Sequence, residues 1–526
     1  MRRRSSHGAP SAPSLRSEMT RAVRNTPPVS SLANEGDRTA PAFSPLGSTN
    51  GASPGGDPIA FHATAPVTNP LRRGLLVFFD FAPSAEVGAL RWISLVGCGA
   101  ERGWAFDVVA LEPQFMGPLD MTRLERLPPG VRMFGFTGEN PAWYRAMLRA
   151  ARRAGWVGTV GAKPSEAPLG GHLDGSDRTV ALGGEDASLW RRAFRSRVHF
   201  QLADALARRA AALGSRLAAK NRYDIVVSSG PPHAAHDAAR RIAARHALPI
   251  VMDMRDPWSD DSAMPSEFRS DTWRRLAQRH ERDCVSAASL LVVTSKAHEE
   301  LQVAKYPALR GRVRTVMNGA DREPLPPSRI ARRFVVGFAG MIYLGRDPRP
   351  LFEAAARVAR ATGATPDEFG VEFMGDDACE GIPLTTIAAE AGLGEHFVAH
   401  GFRPRRDALQ FLAGVSLLVS LPLRTTVTIP AKLFEYMRFD AWLLALAEPA
   451  GATEALLRDT EADVIAPHDV DGIERVIAKR FAEFRAGIRP TSLNHDGRFD
   501  RSTQAALFFD AAEELAARSS RRTAAG

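Results

Sequence analysis

Apolar and polar positions alternate along this chain in two long series of short buried strands and amphipathic helices. The first opens at Gly74-Leu-Leu-Val-Phe-Phe-Asp80, a buried strand by length and content. A loop with Pro83, Ser84 and Gly88 follows, then a helix through Arg91 to Gly103 and a strand from Phe106 to Leu111. Strand, helix, strand at this spacing predicts a right-handed crossover and a parallel sheet. Tyr223 to Gly230 repeats the pattern, with a helix to His246. Then come a strand Pro249 to Met254, a helix 271–287, a strand Ser289 to Thr294, a helix from Ser295, and a strand Val313 to Met317. Residues 322–332 hold Pro324, Pro326 and Pro327 in an apolar-poor stretch and read as a linker.

The second series starts at Phe334 to Gly340, with a helix 350–362. Strands are predicted at Gly370 to Met374, Phe397 to Gly401, 415–421, Trp442 to Ala447 and Ala462 to Ile465. Helices lie between them, and a helix 471–485 follows. A final amphipathic helix, 499–517, is expected to cross back onto the first domain. Two stretches break the pattern. Residues 1–70 are rich in Pro, Ser, Gly, Thr and Arg, and are expected to be a disordered tail without a secretory signal. An insertion at about 160–200 ends in Trp190-Arg-Arg-Ala-Phe-Arg-Ser-Arg-Val-His-Phe200. That segment reads as a helix packing inward with solvated arginines, or as an interfacial helix on anionic lipid. The domain organisation is therefore a tail 1–70, an α/β domain 71–321, a linker 322–332 and a second α/β domain 333–498.

At 526 residues the chain exceeds one ordinary domain, and 44% hydrophobic with 24% charged residues suits a globular protein. No apolar stretch approaches the ~20 residues of a membrane-spanning helix. Cys98, Cys284 and Cys379 have no paired spacing, which points to a reducing compartment and no zinc site. The net charge of +9 is compatible with nucleic acid, an anionic membrane surface or anionic small substrates. Without zinc-finger spacing, an RNA-recognition signature or a basic stripe with aromatics, nucleic acid is set aside.

Candidate chemistry sits at strand ends, where open α/β sheets bind ligands. Pro430 suits the first turn of a helix, and Lys432 and Glu435 share one of its faces. That places an ammonium and a helix start for a phosphate beside a carboxylate for ribose hydroxyls; the plain alternative is a surface ion pair on a capped helix. Gly88 lets backbone N–H groups approach a ligand, with Arg91 in the first helical turn beyond it. Ser228-Ser-Gly-Pro-Pro-His233 forms a proline-fixed turn with a histidine. Asp253, Arg255 and Asp256 end a buried strand, as a site or as an internal Asp–Arg bridge with Trp258 as a plug. Gly340 and Tyr343 lie in a glycine-flanked strand end with Arg346 just beyond, so that Arg346 and Lys432 can hold one diphosphate.

In this order, these pieces join Val293-Thr-Ser295, Met317-Asn-Gly-Ala-Asp321 and His400-Gly-Phe402. The series, over about residues 72–515, resembles the retaining glycosyltransferases of the GT-B fold. It is most similar to the family-four group and its subgroup with a Lys-Leu-Phe-Glu-Tyr signature. The resemblance implies an α/β protein with two Rossmann-like, doubly wound parallel-sheet domains facing a cleft. It implies a nucleotide-sugar donor held mainly by the second domain and a glycan or lipid-linked acceptor. Glu435 matches the ribose carboxylate, Lys432 and Arg346 the basic pair on the diphosphate, and Gly88 the loop near phosphates and donor sugar. Asp256 matches a polar residue near the reacting sugar. Asp256, Arg346 and Lys432 are thus the catalytic candidates. Gly88, Arg91, Gly340, Tyr343, Arg346, Lys432 and Glu435 are the nucleotide-sugar contacts. No metal or other cofactor is expected, because cations stabilise the leaving diphosphate. Two departures stand out. Val427 occupies the place of a second glutamate in many relatives, and Arg438-Phe-Asp440 replaces small residues and a glycine. The alternatives are a non-catalytic binding or scaffold protein and a nucleotide-sugar 2-epimerase. The expected setting is the cytoplasm, at the inner membrane face without spanning it.

Overall fold

The structure is a computed structural model that describes residues 57–153, 189–260, 270–321, 323–327, 332–342, 346–422 and 426–525. An eight-stranded sheet carries the first half. In chain order its elements are β1 (Ala60–Ala63), β2 (Arg72–Val77), α1 (Val87–Glu101), β3 (Trp104–Leu111), β4 (Val131–Phe136), α2 (Leu189–Lys220), β5 (Ile225–Gly230), α3 (Ala234–His246), β6 (Ile250–Met254), α4 (Asp271–Ala287), β7 (Leu290–Val293), α5 (Lys296–Lys305) and β8 (Val313–Thr315). The strand order is β1-β4-β3-β2-β5-β6-β7-β8, parallel except for β1. Order therefore reverses between β2 and β5, the switch point of a doubly wound sheet. The inner strands are largely apolar because helices cover both faces; every residue of β3, β5 and β6 is buried.

The second half is a six-stranded parallel sheet. It comprises β9 (Phe334–Gly340), α6 (Arg349–Thr362), β10 (Phe369–Gly375), β11 (Phe397–Ala399), α7 (Arg405–Leu412), β12 (Leu417–Ser420), α8 (Ala431–Tyr436), β13 (Trp442–Leu446), β14 (Asp463–Ile465) and α9 (Val470–Arg485). Its order, β11-β10-β9-β12-β13-β14, reverses between β9 and β12.

Two strands of chain join the halves. Ala320 pairs with the 499–501 segment through Ala320 N to Phe499 O at 2.9 Å and Arg501 N to Ala320 O at 2.8 Å. The last helix, α10 (Arg501–Ala525), then returns to the first half. Phe508 meets Trp92 edge-on at 5.1 Å, and Phe509 lies 5.8 Å from Trp104.

Three expectations change here. Residues 1–56 lie outside the described residues, but the tail predicted to reach residue 70 contains β1, which pairs antiparallel with β4. Its few apolar residues pack only because the sheet edge offers them a partner. The insertion predicted over 160–200 does not end at 200. Residues 154–188 lie outside the described residues, and Leu189 opens a continuous 32-residue helix through Lys220. In its first turns Ser196 and Phe200 are buried, Phe200 against His280 at 5.2 Å, while Trp190 and Phe194 are 63% and 44% exposed. Finally, the structure adds β4, which the apolar pattern does not predict: Val131-Arg-Met-Phe-Gly-Phe136 carries an arginine and a glycine that mask an apolar run.

Candidate functional site

The carboxyl ends of β9 and β12 form the second switch point, and α8 delivers side chains to it. Tyr436, fully buried, locks α8 onto β9. Its Oη donates to Ala339 O at 3.0 Å and accepts from Ala339 N at 2.9 Å. One turn earlier on the same face, Lys432 Nζ donates to Ala339 O at 2.5 Å. The ammonium lies directly over Gly340: a β-carbon at that position would come within 1.8 Å of Nζ, and φ is +152°. Glycine is therefore required for the lysine to reach the strand end. Burial, and then the neighbouring Arg346 charge, pull the Lys432 pKa down to about 8. Arg346 is 8% exposed and donates from Nη1 to Met341 O at 2.8 Å. Asp376 accepts from Ile342 N at 2.7 Å and fixes the turn after β9. Gly340, Arg346 and Lys432 are thus brought together, while Tyr343 lies outside the described residues.

Glu435 follows Lys432 by three residues, and its Oε1 accepts from Arg405 Nη2 at 2.8 Å. Arg405, at the start of α7, also contacts Glu323 in the connecting segment. Arg438 donates to Glu323 O at 2.5 Å, so this non-glycine departure anchors the connection between the halves. Beside this group a shallow recess opens at the ends of β12 and β13, lined by Ser420, Thr428, Pro430, Leu446, Glu448 and Thr453.

On the first sheet the charged strand end resolves into two parts. Asp253, fully buried, accepts from Arg91 Nε at 3.3 Å, Arg91 Nη2 at 3.1 Å, Trp92 Nε1 at 2.7 Å and Ser229 Oγ at 2.8 Å. Burial alone raises a carboxyl pKa; here the Arg91 charge and these donors outweigh it and keep Asp253 ionised. Arg91, 3% exposed, spends its remaining donors on Met317 O at 2.7 Å and Val316 O at 3.0 Å. Arg91, expected among the nucleotide-sugar contacts, lies in the structure as a buried tie between α1, β6 and the segment after β8. Spacing could not reveal this, because its partner lies 162 residues away.

Arg255 takes the exposed part. Its guanidinium lies over Gly88, where a β-carbon would come within 1.8 Å of Nη1, and it contacts Pro231 O. Asp253 and Arg255 both face α1, as strand alternation requires. Asp256 is half-buried at the same end; burial pushes its carboxyl up, against the opposing charge of Arg255. His233 stacks on Trp258 at 4.8 Å, and burial drives its pKa well below the usual histidine value. The two halves touch nearby, where Ser295 Oγ donates to Val427 O.

No family model matches the chain. It is 26% identical over 230 residues to D-inositol 3-phosphate glycosyltransferase 1 of Catenulispora acidiphila; the alignment covers 39% of this chain and 51% of that protein. The chain thus spans about half the length of the curated relative it matches. Among solved structures, HepE of Anabaena, in complex with UDP and glucose, superposes with a TM-score of 0.52 at 14% identity. That match covers 84% of this chain and all of HepE. Sucrose-phosphate synthase from Thermosynechococcus elongatus gives a TM-score of 0.54 at 14% identity over 86% of this chain and all of its own. TarM gives 0.54 at 9% identity over 84% and 99%. Two Rossmann-like, mainly parallel sheets and superposition along nearly the full length of these proteins show that the chain has the GT-B fold.

Proposed function

We propose that this protein is a retaining, metal-independent glycosyltransferase that moves a sugar from a nucleotide donor to a glycan or lipid-linked acceptor at the inner membrane face, in polysaccharide or cell-envelope glycan synthesis. The observation that carries this reading is the Lys432 ammonium held over Gly340 at the second switch point, with Arg346 beside it and Glu435 one turn on. A relative named as an inositol-phosphate glycosyltransferase and a fold neighbour solved with UDP and glucose support it.

In this reading Lys432 and Arg346 neutralise the charge that develops on the departing diphosphate. Fixed charges of this kind usually lower the barrier more than any other feature of a site. Glu435 accepts from the ribose hydroxyls, with Arg405 holding one carboxylate oxygen in place. Asp256, kept partly out of water at the first-sheet wall, contacts the donor sugar. The test is transfer and donor hydrolysis by the purified protein over a panel of nucleotide sugars, with and without EDTA. Turnover with at least one donor, unaffected by EDTA, is expected. Glu435→Gln should weaken nucleoside diphosphate binding by about 1–3 kcal/mol, the scale of a lost charged hydrogen bond. No turnover with any donor, while a nucleotide still binds, would favour a non-catalytic binding protein.

A further inference from the structure

Arg255 has no direct counter-ion among the described residues: no carboxylate forms an ion pair with it. Its Nε is buried without an acceptor, and Nη2 reaches only the Pro231 carbonyl. The adjacent carboxylate, Asp253, is consumed by Arg91, Trp92 and Ser229. A guanidinium half withdrawn from water without a counter-ion is costly, and folds keep one where a ligand anion completes it. The surroundings agree. Asp256 interacts with Arg255 through charge, but makes no ion pair with it among the described residues. His233 presents a buried Nδ1 with no partner, held by its stack on Trp258. The Gly88 backbone is open to Nη1 because residue 88 has no side chain.

We propose that Arg255, with the Gly88 loop and the stacked His233, forms an oxyanion subsite on the first-sheet wall of the cleft that takes a phosphate or carboxylate of the second substrate. This rests on the glycosyl-transfer reading for calling that molecule an acceptor; the oxyanion site itself does not. The donor diphosphate has its own cations. Lys432 feels Arg346, Glu435, Asp376 and Arg405, all of the second half.

The experiment is calorimetry with inorganic phosphate on the full-length protein, alone and saturated with the tightest nucleoside diphosphate of a panel. With the nucleotide in place, the wild type should still bind phosphate. Arg255→Gln should lose that affinity by about tenfold or more, as expected for a charged, forked contact, and keep its nucleotide affinity. Arg255→Lys, with charge but no fork, should fall between. Phosphate binding equal in Arg255→Gln and wild type would overturn the proposal. So would phosphate displaced by the nucleotide in the wild type, since the anion would then belong to the donor. If no nucleoside diphosphate binds, the donor reading fails, and the phosphate arm alone still decides Arg255. Thermal unfolding guards against a folding defect. Removing an unpaired cation should leave the ligand-free melting temperature unchanged or higher, whereas a lowered one would mark Arg255 as structural and overturn the subsite.

Discussion

Lys432 shows what one residue contributes to the cleft. Burial costs the ammonium more than its neighbours return, so its pKa sits at about 8 instead of the ordinary 10.5. The folded chain then binds fewer protons than the unfolded chain between these values. Stability from this group accordingly rises with pH across that window. Anion binding has the opposite sign, because only the protonated lysine attracts a diphosphate. Nucleoside diphosphate affinity should therefore be full well below pH 8, fall through pH 8 and keep falling to pH 9.5. Lys432→Arg should flatten the profile. Calorimetric titration between pH 7 and 9.5 checks this; a flat wild-type profile would remove the lysine from the diphosphate. The Lys432 and Glu435 pair is legible in sequence because helix geometry alone puts positions three apart on one face. Arg405, the partner of Glu435, is not legible, since it arrives from another helix.

At the scale of elements, the end of β6 divides its charges between two tasks. Asp253 pairs with Arg91, which ties β6 and α1 to the segment after β8, whereas Arg255 lies over Gly88. The two kinds of arginine should respond oppositely to mutation. Asp253→Asn leaves Arg91 charged and nearly buried, which should cost about 3–5 kcal/mol in denaturant unfolding. A loss under 1 kcal/mol there would contradict the core role of the pair. Sequence presented Asp253, Arg255 and Asp256 together as one cluster. Their placement at a strand end followed from the apolar run before them, but the choice of partner depended on α1 packing against β6.

For the whole molecule, the exposed start of α2 is the feature that bears on location. Trp190, Arg191, Phe194 and Arg197 are exposed while Ser196 and Phe200 face inward, and the net charge is +9. Among the described residues no helix is long and apolar enough to cross a membrane. Cations near anionic lipid contribute about 1 kcal/mol each, and salt screens them. The protein should co-sediment with anionic vesicles at low salt and dissociate at high salt. Changing Arg191, Arg192, Arg195 and Arg197 to glutamine should weaken binding. Absence of low-salt binding, or binding indifferent to the four changes, would leave α2 without a membrane role.

The order of strands and helices was determined by the sequence itself. Fully buried strands announce themselves as short apolar runs, and helices by their 3.6-residue period. Phe334–Gly340 and helix 271–287 therefore match the structure to the residue. Only the tertiary structure decided what each edge and charge would meet. β1 exists because β4 offers an open edge, and the partly exposed arginine of β4 pairs with the buried Asp107 at 2.6 Å. Arg91 enters the core because Asp253 waits there. Arg255 remains for the cleft because Asp253 is already taken. Periodicity reports how a residue lies relative to its own backbone; pairing reports which distant backbone lies opposite, and that is settled only when the sheets close.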